Sequence, residues 1–251
     1  MTARLTVENA TKRFGGLVAV DGVSFEVPTT GVTAVIGPNG AGKTTLFNLI
    51  SGALEPTSGR VLFEGEDVTR LAPEKRAARG LVRTFQLVKL FADLTAVENV
   101  AVGAHLKSRG GLLAALLGTP ATRAMERRVD EKARALLDRV GLGAVADRRA
   151  DTLSYGRRRL LEVARALAAE PRLLLLDEPA AGLDAEESAR LSSLIRAVAA
   201  EGTSVLLIEH DMQLVMNTAD QVVVVDFGRK IAQGTPAEVK ADPAVIAAYL
   251  G

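Results

Sequence analysis

The chain is 251 residues long, enough for one large α/β domain or two small ones, and 48% of it is hydrophobic, so it can bury a substantial core. With 31 Lys plus Arg against 30 Asp plus Glu the net charge is +1, which supplies no global basic field for nucleic acid. There is no cysteine, which excludes disulfides, thiolate catalysis and cysteine-ligated zinc. The residues from Met1 to Glu8 lack the apolar core of a signal peptide, and no apolar run approaches the roughly 20 residues of a membrane-spanning helix. The expectation is a soluble globular protein whose membrane role, if it has one, comes through a partner.

Residues 3 to 27 read as short strands, because Leu5 and Val7, then Val23, Phe25 and Val27, alternate with polar neighbours up to Pro28. They predict an antiparallel β layer. Between them Lys12-Arg13-Phe14-Gly15-Gly16 reads as a loop whose aromatic could lie flat on an adenine ring or, equally, fold onto the core.

The β-branched run Val32 to Ile36 then leads into Gly37-Pro38-Asn39-Gly40-Ala41-Gly42-Lys43-Thr44-Thr45, followed by the apolar pattern of a helix over 43 to 51. Strand, glycine-rich bend and helix in that order make a phosphate-binding loop. Glycines at 37, 40 and 42 let the backbone fold tightly with N–H groups inward, while Pro38 has no N–H, so the cradle must use the amides after it. Lys43 can reach the β- and γ-phosphates, Thr44 can offer its hydroxyl to Mg²⁺, and the helix presents the positive end of its dipole. Gly52 ends that helix, and Gly59 to Phe63 reads as another strand.

A short basic helix over 73 to 80 precedes the extended run Leu81-Val82-Arg83-Thr84-Phe85-Gln86, and Thr95 to Glu98 has the spacing of a capping box. Residues 110 to 118 form a short apolar patch expected to pack under a neighbouring helix. Over 121 to 140, Met125, Val129, Ala133, Leu136, Leu137 and Val140 fall on one helical face. The middle third therefore reads as a helical insertion in an α/β core. Leu153-Ser154-Tyr155-Gly156 opens a further helix whose first turn holds Arg157, Arg158 and Arg159, an arrangement that opposes the macrodipole unless something anionic is near or the arginines form a solvated basic face.

Leu173 to Leu176 is a continuously apolar strand, as in the buried centre of a parallel sheet, and it ends in Asp177 and Glu178. Ligands of open α/β sheets bind at the carboxyl ends of strands, and both this end and Ile36 are such ends. Helix 185 to 200, strand 204 to 208, His210, a helix and strand 221 to 225 continue the alternation, and short strand and helix signals at 229 to 250 close it. His210 could reach the same edge, or be a hydrogen-bonded structural histidine.

The phosphate loop and the Asp177-Glu178 strand end together point to nucleotide hydrolysis. Asp177 can hold the Mg²⁺ shell while Glu178 orients or deprotonates an attacking water. Adjacent strand residues normally face opposite ways, so both serve one site only because the strand ends here and the chain turns at Pro179.

Over essentially its whole length the chain resembles the ATP-binding-cassette (ABC) ATPases. Gly37 to Thr44 looks like Walker A, Gln86 like the Q-loop glutamine and Leu153 to Gly156 like the signature motif. Leu173 to Glu178 looks like Walker B with its catalytic glutamate, Gly182-Leu183-Asp184 like the D-loop, and His210 like the switch histidine. Arg13 to Leu17, Val82 to Gln86, Asp177 to Leu183, Ile208 to Met212 and the ending Tyr249-Leu250-Gly251 are similar to the ATPases of branched-chain amino-acid importers. Tyr155 stands where the signature generally has glycine, which suits that subgroup, and Arg157 replaces the usual glutamine, so its side chain has no role carried over.

The resemblance implies a P-loop NTPase core with a mostly parallel sheet, an N-terminal antiparallel β layer and a helical insertion. It divides the chain into a first part of the core over 1–86, a helical signature subdomain over 87–160 and a second part of the core over 161–251. It implies ATP and Mg²⁺ as cofactors and catalytic roles for Glu178, His210, Gln86 and Lys43. ATP contacts fall to Phe14, Asn39, Gly40, Ala41, Gly42, Lys43, Thr44, Thr45, Ser154, Gly156 and Asp184, and metal contacts to Thr44, Gln86 and Asp177.

Ser154 and the Gly156 amide match groups that bind the γ-phosphate of ATP held by another subunit. The implied partners are a second ATP-binding subunit, transmembrane permease subunits at the cytoplasmic face of the membrane and, indirectly, an extracytoplasmic substrate-binding protein, with no nucleic acid. Competing readings are the ATPase of lipopolysaccharide export, a soluble cassette acting on DNA or the ribosome, and a regulatory module without turnover. The soluble reading expects two cassettes, long coiled coils or a basic arm, none of which is visible, and Glu178 with His210 weighs against the regulatory one.

Overall fold

A computed structural model describes residues 3–84, 90–104 and 120–250. Its described residues fall into two compact units, one drawn from 1–86, 172–181 and 192–251, the other from 87–171 and 182–191.

The first unit holds two sheets. β1 (Ala3–Phe14) and β2 (Leu17–Pro28) pair antiparallel and, with β4 (Ser58–Phe63) and β5 (Glu66–Asp67), form a four-stranded sheet of order β2-β1-β4-β5. Each of the first two strands is 12 residues long, longer than the sequence pattern predicts. The reason is the irregular register between Val7 and Arg13, whose bulges break the alternation that marks a strand. Phe14 consequently ends β1 instead of lying in a loop, and Gly15-Gly16 alone makes the turn.

The second sheet has the order β10-β9-β3-β8-β7-β6, built from β3 (Val32–Ile36), β6 (Leu81–Arg83), β7 (Leu173–Asp177), β8 (Ser204–Ile208), β9 (Gln221–Asp226) and β10 (Arg229–Gly234). All its pairings are parallel except the β9–β10 hairpin. Every residue of β3, β7 and β8 is buried, which is why these strands are apolar without alternation. Helix α1 (Lys43–Ser51) buries Leu46, Phe47, Leu49 and Ile50 in one cluster with Leu5, Val7 and Phe63 of the antiparallel sheet and Leu173 and Leu175 of the parallel one.

The far end of α1 is held by an arginine. Arg76, on α2 (Pro73–Ala78) and 1% exposed, donates to the carbonyls of Leu49 at 2.8 Å and Ile50 at 2.6 Å, and to those of Leu71 and Thr69. The Leu49 and Ile50 carbonyls lie in the last turn of α1, where Gly52 turns left-handed, and burial pulls the guanidinium down to about 10.

The second unit is helical in its described part. α3 (Ala96–Ala104) opens on the capping box of Thr95, whose hydroxyl accepts from the Glu98 N–H while the Glu98 carboxylate accepts from the Thr95 N–H at 2.7 Å. α4 (Pro120–Arg139) packs on α3 and on α5 (Tyr155–Ala168) through Ala133, Leu136 and Leu137. The predicted apolar face holds only in that second half, since Met125 is exposed and Val129 half-buried. The apolar patch predicted at 110 to 118 lies outside the described residues. α6 (Ala185–Ala200), α7 (Met212–Thr218), α8 (Pro236–Ala241) and α9 (Pro243–Leu250) complete the chain. Among the described residues no helix is long and apolar enough to cross a membrane.

Candidate functional site

Helix α1 starts at an N-cap, Gly42, whose φ is 98° and which has no side chain to offer. No residue caps the helix through a side chain and its first turn has no acidic group, so the amides of that turn are left to an external acceptor. The glycines have a second reason to be there beyond room for a ligand. A Cβ on Gly37 would stand 2.0 Å from the Val225 carbonyl oxygen, and one on Gly42 would stand 2.3 Å from that of Ala19. Strands β9 and β2 therefore press on the loop and fix its shape.

Pro38, which has no N–H to give, contributes its carbonyl instead: it accepts from the Ala41 N–H at 3.2 Å and from the Lys43 ammonium at 2.9 Å. Lys43 also donates to the Gly37 carbonyl at 2.7 Å. Burial pulls its pKa below the ordinary lysine value, and the Glu178 carboxylate opposes that shift. A cavity of about 450 Å³ lies over the loop, lined by Asn39 to Thr45, by Leu17 to Ala19 of β2, by Glu178, and by Phe227 and Gly228. Phe14, 46% exposed, has the Lys12 ammonium 5.3 Å from its ring centre and is not among the residues lining that cavity.

The strand-end carboxylates diverge in the way their chemistry requires. Asp177 is 1% exposed, and Arg83 of β6 donates to its Oδ2 at 2.7 Å. The same guanidinium donates to Asn48 Oδ1 at 2.7 Å and Ser51 Oγ at 2.8 Å, so it ties α1 to the end of β7. The other oxygen of Asp177, Oδ1, is buried without a hydrogen-bond partner, the state of an oxygen suited to a cation. Glu178 takes a positive φ of 46°, which breaks the strand's alternation and brings its carboxylate to the cavity wall. His210 Nδ1 lies 3.9 Å from Glu178 Oε1, near but beyond hydrogen-bonding distance.

Glu209, the residue before it, is 1% exposed and accepts from the Ala180 N–H at 2.9 Å and the His210 N–H at 3.1 Å. Burial raises its pKa despite those bonds. It thereby clasps the chain just after Glu178 to the chain that carries His210. Gln86 lies outside the described residues.

Ser154, Gly156 and Asp184 belong to the second unit. Ser154 is the N-cap of α5, its hydroxyl accepting from the Arg157 N–H at 3.3 Å. A Cβ on Gly156 would stand 2.5 Å from Glu187 Oε2, so this glycine allows α6 to approach. Glu187 in turn caps with Asp184: the Asp184 Oδ1 accepts from the Glu187 N–H at 2.8 Å, and the Asp184 N–H donates to Glu187 Oε2 at 3.3 Å. The three arginines separate. Arg157 is exposed, whereas Arg159 is 3% exposed, 3.5 Å from Glu162 and over the Tyr155 ring at 5.8 Å from its centre, so the basic first turn is not one solvated face.

Residues 20–181 match the family described as ABC transporter, and residues 229–251 the one described as Branched-chain amino acid ATP-binding cassette transporter. The chain belongs to the ABC transporter family. It is 48% identical, over 98% of its length and 97% of the relative's, to the high-affinity branched-chain amino acid transport ATP-binding protein BraF of Pseudomonas aeruginosa. Against LivG of Escherichia coli, whose description is the same, identity is 43% over the same shares. Among solved structures, a nucleotide-free ATP-binding cassette from an ABC transporter superposes with a TM-score of 0.86 at 35% identity, covering 99% of both chains. The ADP conformation of MJ1267, an ATP-binding cassette of an ABC transporter, gives 0.85 at 34% identity over 100% of both. The fold is thus that of an ABC cassette, and the family binds and hydrolyses ATP.

Three parts of the site had no chemical role legible in the sequence. Arg83 reads as one polar residue at the end of a short strand, Glu209 as a neighbour of His210, and Phe227 as a turn residue. The first two could be found only from the pairing of β6 with β7 and of β7 with β8, which brings a lone cation and a lone carboxylate to the edge where Asp177 and Glu178 end.

Proposed function

We propose that this chain is the ATP-hydrolysing subunit of a membrane importer for branched-chain amino acids. The observation that carries the chemistry is one cavity walled by the uncapped start of α1, by Lys43 and by Glu178. Lys43 and the amides of Asn39 to Thr45 bind the phosphates, and Phe14, which stands outside the lining of this cavity, would meet the adenine beyond it. Glu178 accepts a proton from the attacking water and His210 steadies the group beside it. Thr44, Asp177 and Gln86 would hold Mg²⁺, which when bound neutralises charge between the phosphates.

Two ATP-binding subunits, identical or related, would sandwich two ATP molecules, each held by one chain's phosphate loop and the other's Ser154, Gly156 and Asp184. ATP favours closure by contacts to both sides, and loss of the γ-phosphate removes that difference and reopens the pair. The region over 87–160, including Leu90 to Thr95, would dock on permease subunits at the cytoplasmic face of the membrane, served from outside by a substrate-binding protein.

The test is reconstitution of the chain with the permease subunits and binding protein of a branched-chain amino-acid importer. ATPase activity should rise with liganded binding protein and drive leucine, isoleucine or valine into vesicles. Full ATPase activity with no response to permease would favour a soluble cassette, and response without amino-acid uptake would favour an exporter of another cargo.

A further inference from the structure

The hairpin that closes β9 onto β10 carries an anomaly at the lip of the nucleotide cavity. Asp226 pairs with Arg229, leaving Phe227 and Gly228 as a two-residue turn. Their φ values are 42° and 79°, the signs of a type I′ turn, in which Asn-Gly or Asp-Gly is the favoured pair and a large side chain at the first position is strained. The phenyl group gains nothing from the core in return, for Phe227 is 86% exposed.

The turn itself is rigidly placed. The Gly228 N–H donates to the Ala41 carbonyl at 3.0 Å, inside the phosphate loop, and the Gly228 carbonyl accepts from the Asp21 N–H at 2.8 Å. Arg229 completes the attachment by pairing with Asp21 at 2.7 Å. Phe227 is therefore strained, exposed and fixed, and it lines the cavity together with Leu17, itself 66% exposed. Two uncovered apolar side chains flank a site whose floor is made for phosphates.

We infer that Phe227 is a further ligand-contacting residue of this site, covering the ribose and base end of the nucleotide from the β9–β10 turn. The inference rests on the nucleotide reading of the cavity. Strain kept at a fixed, exposed position is the pattern of a functional contact, and an aromatic face suits a nucleobase.

Three proteins and two probes test it: the full-length wild type, Phe227→Asn and Phe227→Trp, titrated calorimetrically with ATP and with inorganic tripolyphosphate. Phe227→Asn places the favoured residue in the turn, so its melting temperature should rise, while its ATP affinity falls about fivefold or more. Its tripolyphosphate affinity should stay that of the wild type, and Phe227→Trp should keep ATP affinity. Equal ATP affinity for wild type and Phe227→Asn, or an equal loss for both probes, would overturn the inference. Failure of the wild type itself to bind ATP would instead overturn the nucleotide reading.

Discussion

Helices α1 and α5 both open on stretches that resemble ATP-contacting motifs, and their first turns are built in opposite ways. α1 begins at a left-handed glycine with no side-chain cap and no acidic residue. α5 begins at Ser154, which caps the Arg157 N–H, and the buried Arg159 has Glu162 beside it. The first helix start is left open for an anion from outside, whereas the second already has one of its amides capped by a side chain of its own unit. That difference fits the separate duties we propose for them: α1 binding nucleotide within one chain, and α5 meeting a nucleotide held by another.

Mutations at the two places should therefore fail differently. The largest effect belongs to Glu178→Gln, which keeps the shape of the cavity wall and removes the base; turnover should fall about 10²- to 10⁴-fold with ATP affinity retained. Undiminished hydrolysis would show that another group takes the proton. Lys43→Ala should weaken ATP binding by about tenfold to a hundredfold, the worth of a hydrogen bond to a charged group, and calorimetry on the isolated chain reads it directly. Ser154→Ala should leave that single-chain affinity alone while costing about 1 kcal/mol of stability as a lost cap, measured by denaturant unfolding. A loss of ATP affinity in the monomer would blur the division of duties.

The smallest effect is one of pH. Burial raises the pKa of Glu209 above its ordinary value near 4.5, so its contribution to stability is fully present below that pH and declines as pH rises through the raised value. Glu209→Gln carries no such titration. The stability of wild type relative to this variant should therefore shrink as pH climbs from 4 to 8, and a constant difference in melting temperature across that range would remove Glu209 from the site's electrostatics.

The parts of this protein that the sequence made legible are those whose chemistry is local. Gly37 to Thr45 had to be a loop between strand and helix, and Leu173 to Leu176 had to be a central strand, because each pattern has one physical use. The ends of the fold's long contacts were not legible. Register shifts hid the true length of β1 and moved Phe14 from loop to strand end. The exposure of Met125 could not be told from the periodicity of α4, since Met125 and Leu136 share a face and only the latter is buried. Arg83 and Glu209 matter through residues about 30 to 90 positions away, such as Ala180 and Asp177, which no window along the chain can reveal. The positive φ of Glu178 is the instructive middle case: the sequence demanded a break in alternation after Asp177, and the backbone supplies it one residue before Pro179.

The division of duties is tested most directly by sedimentation of the purified Glu178→Gln chain with ATP, alone and with Ser154→Ala added. The single variant should sediment as a dimer with ATP and as a monomer without it, and the double variant should bind ATP while remaining a monomer. A double variant that dimerises as well as the single one, or a single variant that holds ATP and stays monomeric, would contradict a site completed by the start of α5 from a second chain.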